Sequence, residues 1–156
     1  MRTAPTRRPR SSLRGPSADP SELRMRGLQN FGAADGLSDL LEWSEPVIHD
    51  RLSEVYRTRV VEKDVIGQLA RQHGRAWRAL IAGDMSGFKS LRRDLAAALE
   101  ALGVGLGCIV EADARVFHEL NDIVTARFQR CDRLARGYRL ALTEIAQRLA
   151  PAVRAA

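Results

Sequence analysis

The sequence has few of the residues from which disulfide frameworks and membrane spans are built. Its two cysteines, Cys108 and Cys131, lie 23 positions apart, and a reduced pair of small buried side chains is the expected state in a cytosolic protein. None of its apolar runs approaches the roughly 18 residues of a membrane-spanning helix. We therefore expect a soluble, cytoplasmic chain that has no structural disulfide and does not bind a membrane.

Residues in catalytic or metal-binding patterns are equally scarce. The three histidines are scattered, and the chain has no His-x-x-His, Glu-x-x-His or Cys-x-x-Cys spacing, so no metal site is indicated. No serine lies in a recognisable nucleophile elbow. Glu111 and Asp113 are two residues apart on a predicted helix and face different directions, so they do not form an acid–base dyad. We expect no enzymatic activity, no catalytic residue and no metal ligand.

Positive charge is concentrated near the amino terminus. The formal net charge is +6, and residues 1–26 hold seven arginines against Asp19 and Glu22. These residues are also rich in Pro and Ser and have almost no large apolar side chain, which predicts a disordered arm. The other 130 residues carry about +1. The arm could contact a polyanion, but a solvated tail is the simpler interpretation, and we do not expect nucleic acid as the main partner.

Helical periodicity is what the sequence has in abundance. Apolar residues recur at three and four positions, and no long segment alternates with period two, so we predict an all-α domain. The expected helices are Leu37–Trp43, Ser44 to about Val61, about Glu62 to Ile81, Ser86–Leu102, Cys108–Cys131 and Asp132–Leu149. Ser44 and Ser86 are the expected N-caps, and Pro151 is expected to end the last helix. We interpret the glycine-rich run at 103–107 as a helix terminator, because a phosphate-binding loop would follow a strand.

Several blocks in this order resemble the globin-sensor domain of bacterial globin-coupled sensors and protoglobins. The blocks are Trp43-Ser44-Glu45-Pro46-Val47-Ile48, Leu52-Ser53-Glu54-Val55-Tyr56, Trp77-Arg78-Ala79-Leu80-Ile81-Ala82-Gly83 with the following Phe88, and Arg93 to Val104. The resemblance covers residues 33–150 and implies a globin-like fold of about six helices. It also implies a homodimer through the last two long helices, at residues 108–149, packed as a four-helix bundle.

The resemblance places three residues in the family's haem pocket. Leu99 occupies the position of the proximal histidine, and a leucine side chain cannot coordinate iron. Tyr56 matches the distal tyrosine that hydrogen-bonds the bound ligand in the family. His73 lies on the helix that lines the distal side, as either a hydrogen-bonded core residue or a pocket residue.

These features predict a haem-free sensory or signalling module that acts by protein–protein association. We expect no output domain after Ala156, and therefore expect any signal to pass to another chain, an unidentified signalling protein. Two alternatives remain. One is a haem-binding oxygen or gas sensor with non-standard ligation, for example by His73. The other is a nucleic-acid-associated protein that uses the basic arm.

Overall fold

The computed structural model describes residues 33–154, with side chains from residue 36 to residue 149. This part of the chain forms six α-helices and contains no strand, which confirms the all-α prediction. The predicted arm at residues 1–26 lies outside the described residues. The helices are α1 (Ala33–Trp43), α2 (Glu45–Arg57), α3 (Lys63–Ile81), α4 (Met85–Ala101), α5 (Gly107–Arg127) and α6 (Asp132–Arg154). None of these helices combines the length and the apolar content that crossing a membrane requires.

Helix α3 is central to the packing. It lies against α2 and α4, its two most extensive partners, and also contacts α1. Helix α2 in turn packs on α5, α5 packs on α6, and α1 contacts α6. All six helices contribute apolar side chains to one continuous core, so the periodic stripes in the sequence do converge on a shared interior.

The ends of α3 and α4 confirm the two predicted breaks. Gly83 and Gly103 have φ angles of 81° and 69°, a left-handed conformation that glycine adopts without steric cost. Beyond each glycine the next amide donates back into the helix, from Asp84 to the Ala79 carbonyl (2.8 Å) and from Val104 to the Leu99 carbonyl (2.9 Å). These are the bonds of a Schellman C-cap, which ends a helix at a defined residue.

The two predicted N-caps have different outcomes: Ser44 is the N-cap residue of α2, as predicted, but makes no side-chain cap bond, whereas Ser86 is not the N-cap of α4. The Ser44 hydroxyl donates to the Leu40 carbonyl at 2.6 Å and makes no cap bond to α2, because Ser44 is buried in a nearly continuous connection from α1. At the start of α4 the capping residue is Asp84, whose carboxylate accepts from the Gly87 amide at 2.8 Å. An ionised cap two residues earlier than Ser86 also places negative charge at the positive end of the helix dipole.

The last two helices end differently from the prediction. Helix α5 stops at Arg127 rather than Cys131, because Phe128 leaves the helical conformation (φ −110°, ψ 24°) and its ring stacks on Tyr138 of α6. Helix α6 continues through Pro151 to Arg154. A proline removes one backbone donor but its own φ angle is compatible with a helix, so the predicted stop at Pro151 was wrong.

Candidate functional site: a buried polar network

Five polar or amphipathic side chains from four helices meet inside the apolar core. They are Tyr56 of α2, His73 and Trp77 of α3, Arg92 of α4 and Asp113 of α5. Tyr56, His73 and Trp77 are completely buried. We call this group the buried polar network.

Each charged or titratable member occupies a place in an apolar stripe. His73 lies four residues from both Leu69 and Trp77 on α3, and residues four apart share a helix face. In the same way Arg92 follows Phe88 by four residues on α4, and Asp113 follows Ile109 by four on α5. The periodicity that buries the apolar residues therefore carries these polar side chains into the core with them.

The Asp113 carboxylate is the centre of the network. Its Oδ1 accepts from His73 Nε2 at 2.7 Å, Trp77 Nε1 at 3.0 Å and Arg92 Nη1 at 3.0 Å. Its Oδ2 accepts from Arg92 Nη2 at 2.6 Å. The Arg92 guanidinium thus binds the carboxylate through two parallel bonds, the strongest geometry for this pair. A buried carboxylate with four donors has no oxygen left without a partner.

His73 connects Asp113 to Tyr56. The Tyr56 hydroxyl lies 2.6 Å from His73 Nδ1, and the Nε2 on the other side of the ring faces Asp113. Because Asp113 is an acceptor, Nε2 carries the proton and donates it, so the Nδ1 lone pair accepts from the Tyr56 O–H. The Arg92 Nη1 atom is 3.4 Å from Nε2. Both of those nitrogens bear hydrogens, so we interpret that approach as a contact and not as a hydrogen bond.

The charge states follow from burial and from these contacts. Burial lowers the pKa of His73, against the opposing effect of Asp113, so the imidazole stays neutral. Burial would raise the pKa of Asp113, but the hydrogen bond from His73 and the positive charge of Arg92 outweigh it and lower that pKa. Burial is also the main reason that the pKa of Tyr56 is raised far above its ordinary value. The network therefore holds one ion pair, between Arg92 and Asp113, and a neutral His–Tyr pair behind it.

Arg92 joins the network to the molecular surface. Its side chain is 12% exposed and that of Asp113 is 9% exposed, whereas that of His73 is fully enclosed. The Arg92 guanidinium also lies 5.6 Å from the centre of the Phe88 ring, an attractive cation–π arrangement. The chain of contacts thus runs from solvent at Arg92 to the interior at Tyr56.

The structure brings together two of the three predicted pocket residues. Tyr56 and His73 are in direct hydrogen-bond contact. Leu99 is completely buried in the same core cluster as Leu69, Trp77 and Leu95. It lies on α4, seven residues beyond Arg92 and on the same helix face, two turns away. Its apolar side chain takes no part in the hydrogen bonds.

Asp113 and Arg92 were not predicted as site residues from the sequence, although both are charged residues on apolar helix stripes. Glu111 and Asp113 do face different directions, as predicted: Glu111 pairs with Arg59 at the surface at 2.8 Å, and Asp113 is buried. A charged residue on an apolar stripe requires a buried partner, and this requirement could have marked both residues. It could not have paired them, because they are 21 residues apart on different helices.

This network can bind protons at its titratable side chains, and its hydrogen bonds link four helices. Within the described residues every buried side-chain nitrogen or oxygen has a hydrogen-bond partner. The same part of the chain brings no three His, Cys, Asp or Glu side chains together in a metal-binding arrangement. Comparison with known proteins adds no assignment: no protein-family model, no curated protein and no solved structure matches the chain.

Proposed function

We propose that this protein is a haem-free helical signalling module of the globin-sensor type, which acts by associating with other protein chains and not as an enzyme. The observation that carries the proposal is the state of His73. Both of its ring nitrogens are engaged in hydrogen bonds inside a fully buried network. These contacts support the haem-free part of the proposal, because side chains of this chain occupy both ring nitrogens of His73.

The residues present do not fit a haem iron. Leu99, at the position that matches the proximal ligand, is an alkyl side chain in the core. Ligation by His73 would require Nδ1 to give up the Tyr56 hydroxyl or Nε2 to give up Asp113. Either change would leave a buried polar group without its partner, which costs about 1–3 kcal/mol for a neutral group and more for a charged one.

Association is supported by the apolar residues that the fold leaves outside. Val110 on α5, and Leu134 and Leu140 on α6, are 45–58% exposed. They belong to the segment 108–149 that the family resemblance implies as a homodimer interface. By contrast Val116, Leu120 and Val124 of the same segment are fully buried within one chain, so they are unavailable to a partner.

A cytoplasmic location is part of the proposal. Cys108 is buried and Cys131 is half-buried, and both are free thiols. Unpaired cysteines are typical of a reducing compartment.

The proposal is tested by haemin titration followed in the visible spectrum. We expect the purified protein to be colourless and to show no saturable Soret band at micromolar haemin. His73→Ala is the informative variant, and His118→Ala is its control, because His118 is exposed on α5 and could bind haemin only at the surface. A one-to-one Soret band that is lost in His73→Ala but kept in His118→Ala would refute the haem-free proposal and establish ligation from the interior.

A further inference from the structure

The charge of the chain beyond residue 26 is strongly segregated. Residues 27–124 hold 11 basic and 15 acidic residues, for a net charge of −4. Residues 125–143 hold five arginines and one acid, for a net charge of +4. The near neutrality of the chain beyond residue 26 is therefore a cancellation between two regions of opposite sign, and one of them is short.

The five arginines of this segment follow a regular spacing of three residues. They are Arg127 at the end of α5, Arg130 in the connection, and Arg133, Arg136 and Arg139 in the first two turns of α6. All five are exposed. On a helix each step of three residues advances about 4.5 Å and turns the side chain by about −60°, so the α6 arginines fan out across one side of that helix. We call these five residues the basic corner.

The basic corner has one acidic neighbour, Asp132, against its five arginines. Among the described residues no carboxylate oxygen lies within 4.0 Å of any of these five guanidinium groups. The same holds for Arg71, Arg75 and Arg93 on α3 and α4, so the feature particular to the corner is the clustering of its five arginines. Arg139 donates instead to the Thr125 hydroxyl at 2.9 Å. The positive charge is therefore available to a partner.

A cleft of about 480 Å³ lies between α5 and α6 at this corner. Arg136 and Arg139 line it together with hydroxyl and amide groups from Thr125, Gln129 and Thr143 and with the Asp132 carboxylate, so two guanidinium groups face one acid at the cleft. Guanidinium, hydroxyl and amide donors are the groups with which proteins contact phosphate oxygens of nucleic acids. Trp43 is 67% exposed and lies 5.1 Å from the Arg127 guanidinium, measured to the ring centre, so an aromatic surface of the type that stacks on bases adjoins the corner.

We infer that the basic corner binds the phosphate backbone of a nucleic acid. Phosphate contacts need clustered positive charge and no particular base sequence, and five guanidinium groups against one carboxylate supply it. The seven arginines in residues 1–26 add charge of the same sign to the chain. The inference does not depend on whether the protein binds haem.

Two other occupants fit the corner less well. Membrane-surface helices place a broad apolar face beside their basic residues, but α6 buries Leu142, Ile145 and Leu149 in the core. Its exposed Leu134 and Leu140 are six residues apart, about 120° around the helix, and form no such face. A second copy of the corner would oppose like charges and would be repelled.

The test is fluorescence anisotropy of labelled 30-nucleotide single-stranded and duplex DNA with the full chain. The informative variant is Arg133→Ala/Arg136→Ala/Arg139→Ala. Its control is Arg71→Ala/Arg75→Ala/Arg93→Ala, which removes the same charge from exposed arginines on α3 and α4. Circular dichroism checks that both variants remain helical.

We expect the wild type to bind, with an affinity that falls steeply between 50 and 200 mM salt. The corner variant should lose at least tenfold in affinity at 50 mM salt, and its slope of log K against log salt should be shallower by about 2–3 for duplex DNA. The control should change affinity less than threefold. Equal losses in the two variants would overturn the inference, because total charge and not the corner would then decide binding.

Three further results would also refute the inference. One is the absence of binding by the wild type at 50 mM salt. Another is binding that is unaffected in the corner variant but abolished by deleting residues 1–26. The third is tighter binding of the corner to phosphatidylserine vesicles or to a poly-glutamate peptide than to DNA, under the same buffer conditions.

Discussion

At the scale of single residues, Asp113 combines a large desolvation cost with strong compensating interactions. Its buried carboxylate carries a desolvation cost of several kcal/mol, which only a close cation and several donors can offset. Arg92 supplies the charge, while His73 and Trp77 supply the remaining bonds. Replacing a buried ion pair by a well-packed hydrophobic pair is often neutral or stabilising, so the presence of this network is not by itself evidence of added stability.

At this scale we predict that burial of His73 makes the stability of the protein depend on pH. Its folded-state pKa is below the ordinary value of 6.5, so below about pH 6.5 the unfolded chain binds a proton that the folded chain does not. The free energy of unfolding should therefore be highest above pH 6.5 and fall as the pH decreases, by up to about 1.4 kcal/mol per pH unit from this residue. Asp113, with its lowered pKa, adds a loss of the same sign only when the pH falls below about 3.8.

Urea unfolding at pH 7.5 and pH 5.0 measures this effect. The wild type should lose more stability between the two values than His73→Gln, with an upper limit of about 2 kcal/mol set by the ordinary pKa of 6.5. His118→Gln, a change at an exposed histidine, should keep the wild-type pH dependence. If His73→Gln lost as much unfolding free energy as the wild type between these pH values, the conclusion that His73 is neutral in the folded protein would be wrong.

At the scale of helices, the contact of α1 with α6 depends on a glycine. A Cβ atom on Gly36 would lie 2.9 Å from Tyr138 Cζ and closer still to the hydroxyl. Tyr138 cannot move freely, because its ring stacks on Phe128 with centroids 4.8 Å apart. The missing side chain at Gly36 therefore sets how closely α1 approaches α6.

Gly36→Ala should accordingly lower the free energy of unfolding by about 1 kcal/mol. Overpacking costs about 1–3 kcal/mol, and the better helix propensity of alanine returns up to about 1 kcal/mol. Gly74→Ala on α3 is the matched control, since its Cβ would meet nothing within 4 Å and the substitution should stabilise by about 0.5–1 kcal/mol. In urea unfolding, the two variants should change the free energy of unfolding in opposite directions. Stabilisation by both would show that Tyr138 can move away from a Cβ atom at position 36 without loss of stability.

Sequence periodicity was sufficient to predict the helices but not their side-chain pairs. Apolar spacing located all six helices, and the glycines at 83 and 103 located two of their ends. Tyr56 and His73 were selected as neighbours in a pocket through the family resemblance, and they do touch. The partners that define the site, Arg92 and Asp113, meet only because the fold brings α4 within reach of α5 through the Arg92 side chain, and no local pattern encodes that distance.

At the scale of the whole molecule, the total charge concealed the uneven distribution of charge along the chain. The sum over residues 27–156 is close to zero, which predicted a neutral domain, yet it combines −4 in residues 27–124 with +4 in residues 125–143. The repeat of arginine at every third residue was legible in the sequence. Only the fold shows that all five side chains are exposed at one corner, beside a cleft and an exposed tryptophan.

The proposed homodimer and the proposed nucleic-acid site use the same surface, and salt should affect the two interactions in opposite directions. An isologous interface through residues 108–149 would use the same segment of both chains, and would therefore bring two sets of five arginines into one interface. Their repulsion acts over about 10 Å at 0.1 M salt and about 3 Å at 1 M. Dimerisation through this segment should therefore tighten as salt is raised, whereas nucleic-acid binding weakens.

Sedimentation equilibrium at 50 mM and 500 mM salt separates the two demands. We expect a lower dimer dissociation constant at the higher salt. We also expect Arg133→Ala/Arg136→Ala/Arg139→Ala to dimerise more tightly than the wild type at 50 mM, because it removes three like charges from each chain. The triple variant at Arg71, Arg75 and Arg93 should behave as the wild type. A dimer indifferent to both salt and the corner variant would require an interface away from the basic corner. A monomer at every concentration would remove the homodimer from the proposal and leave this surface to nucleic acid alone.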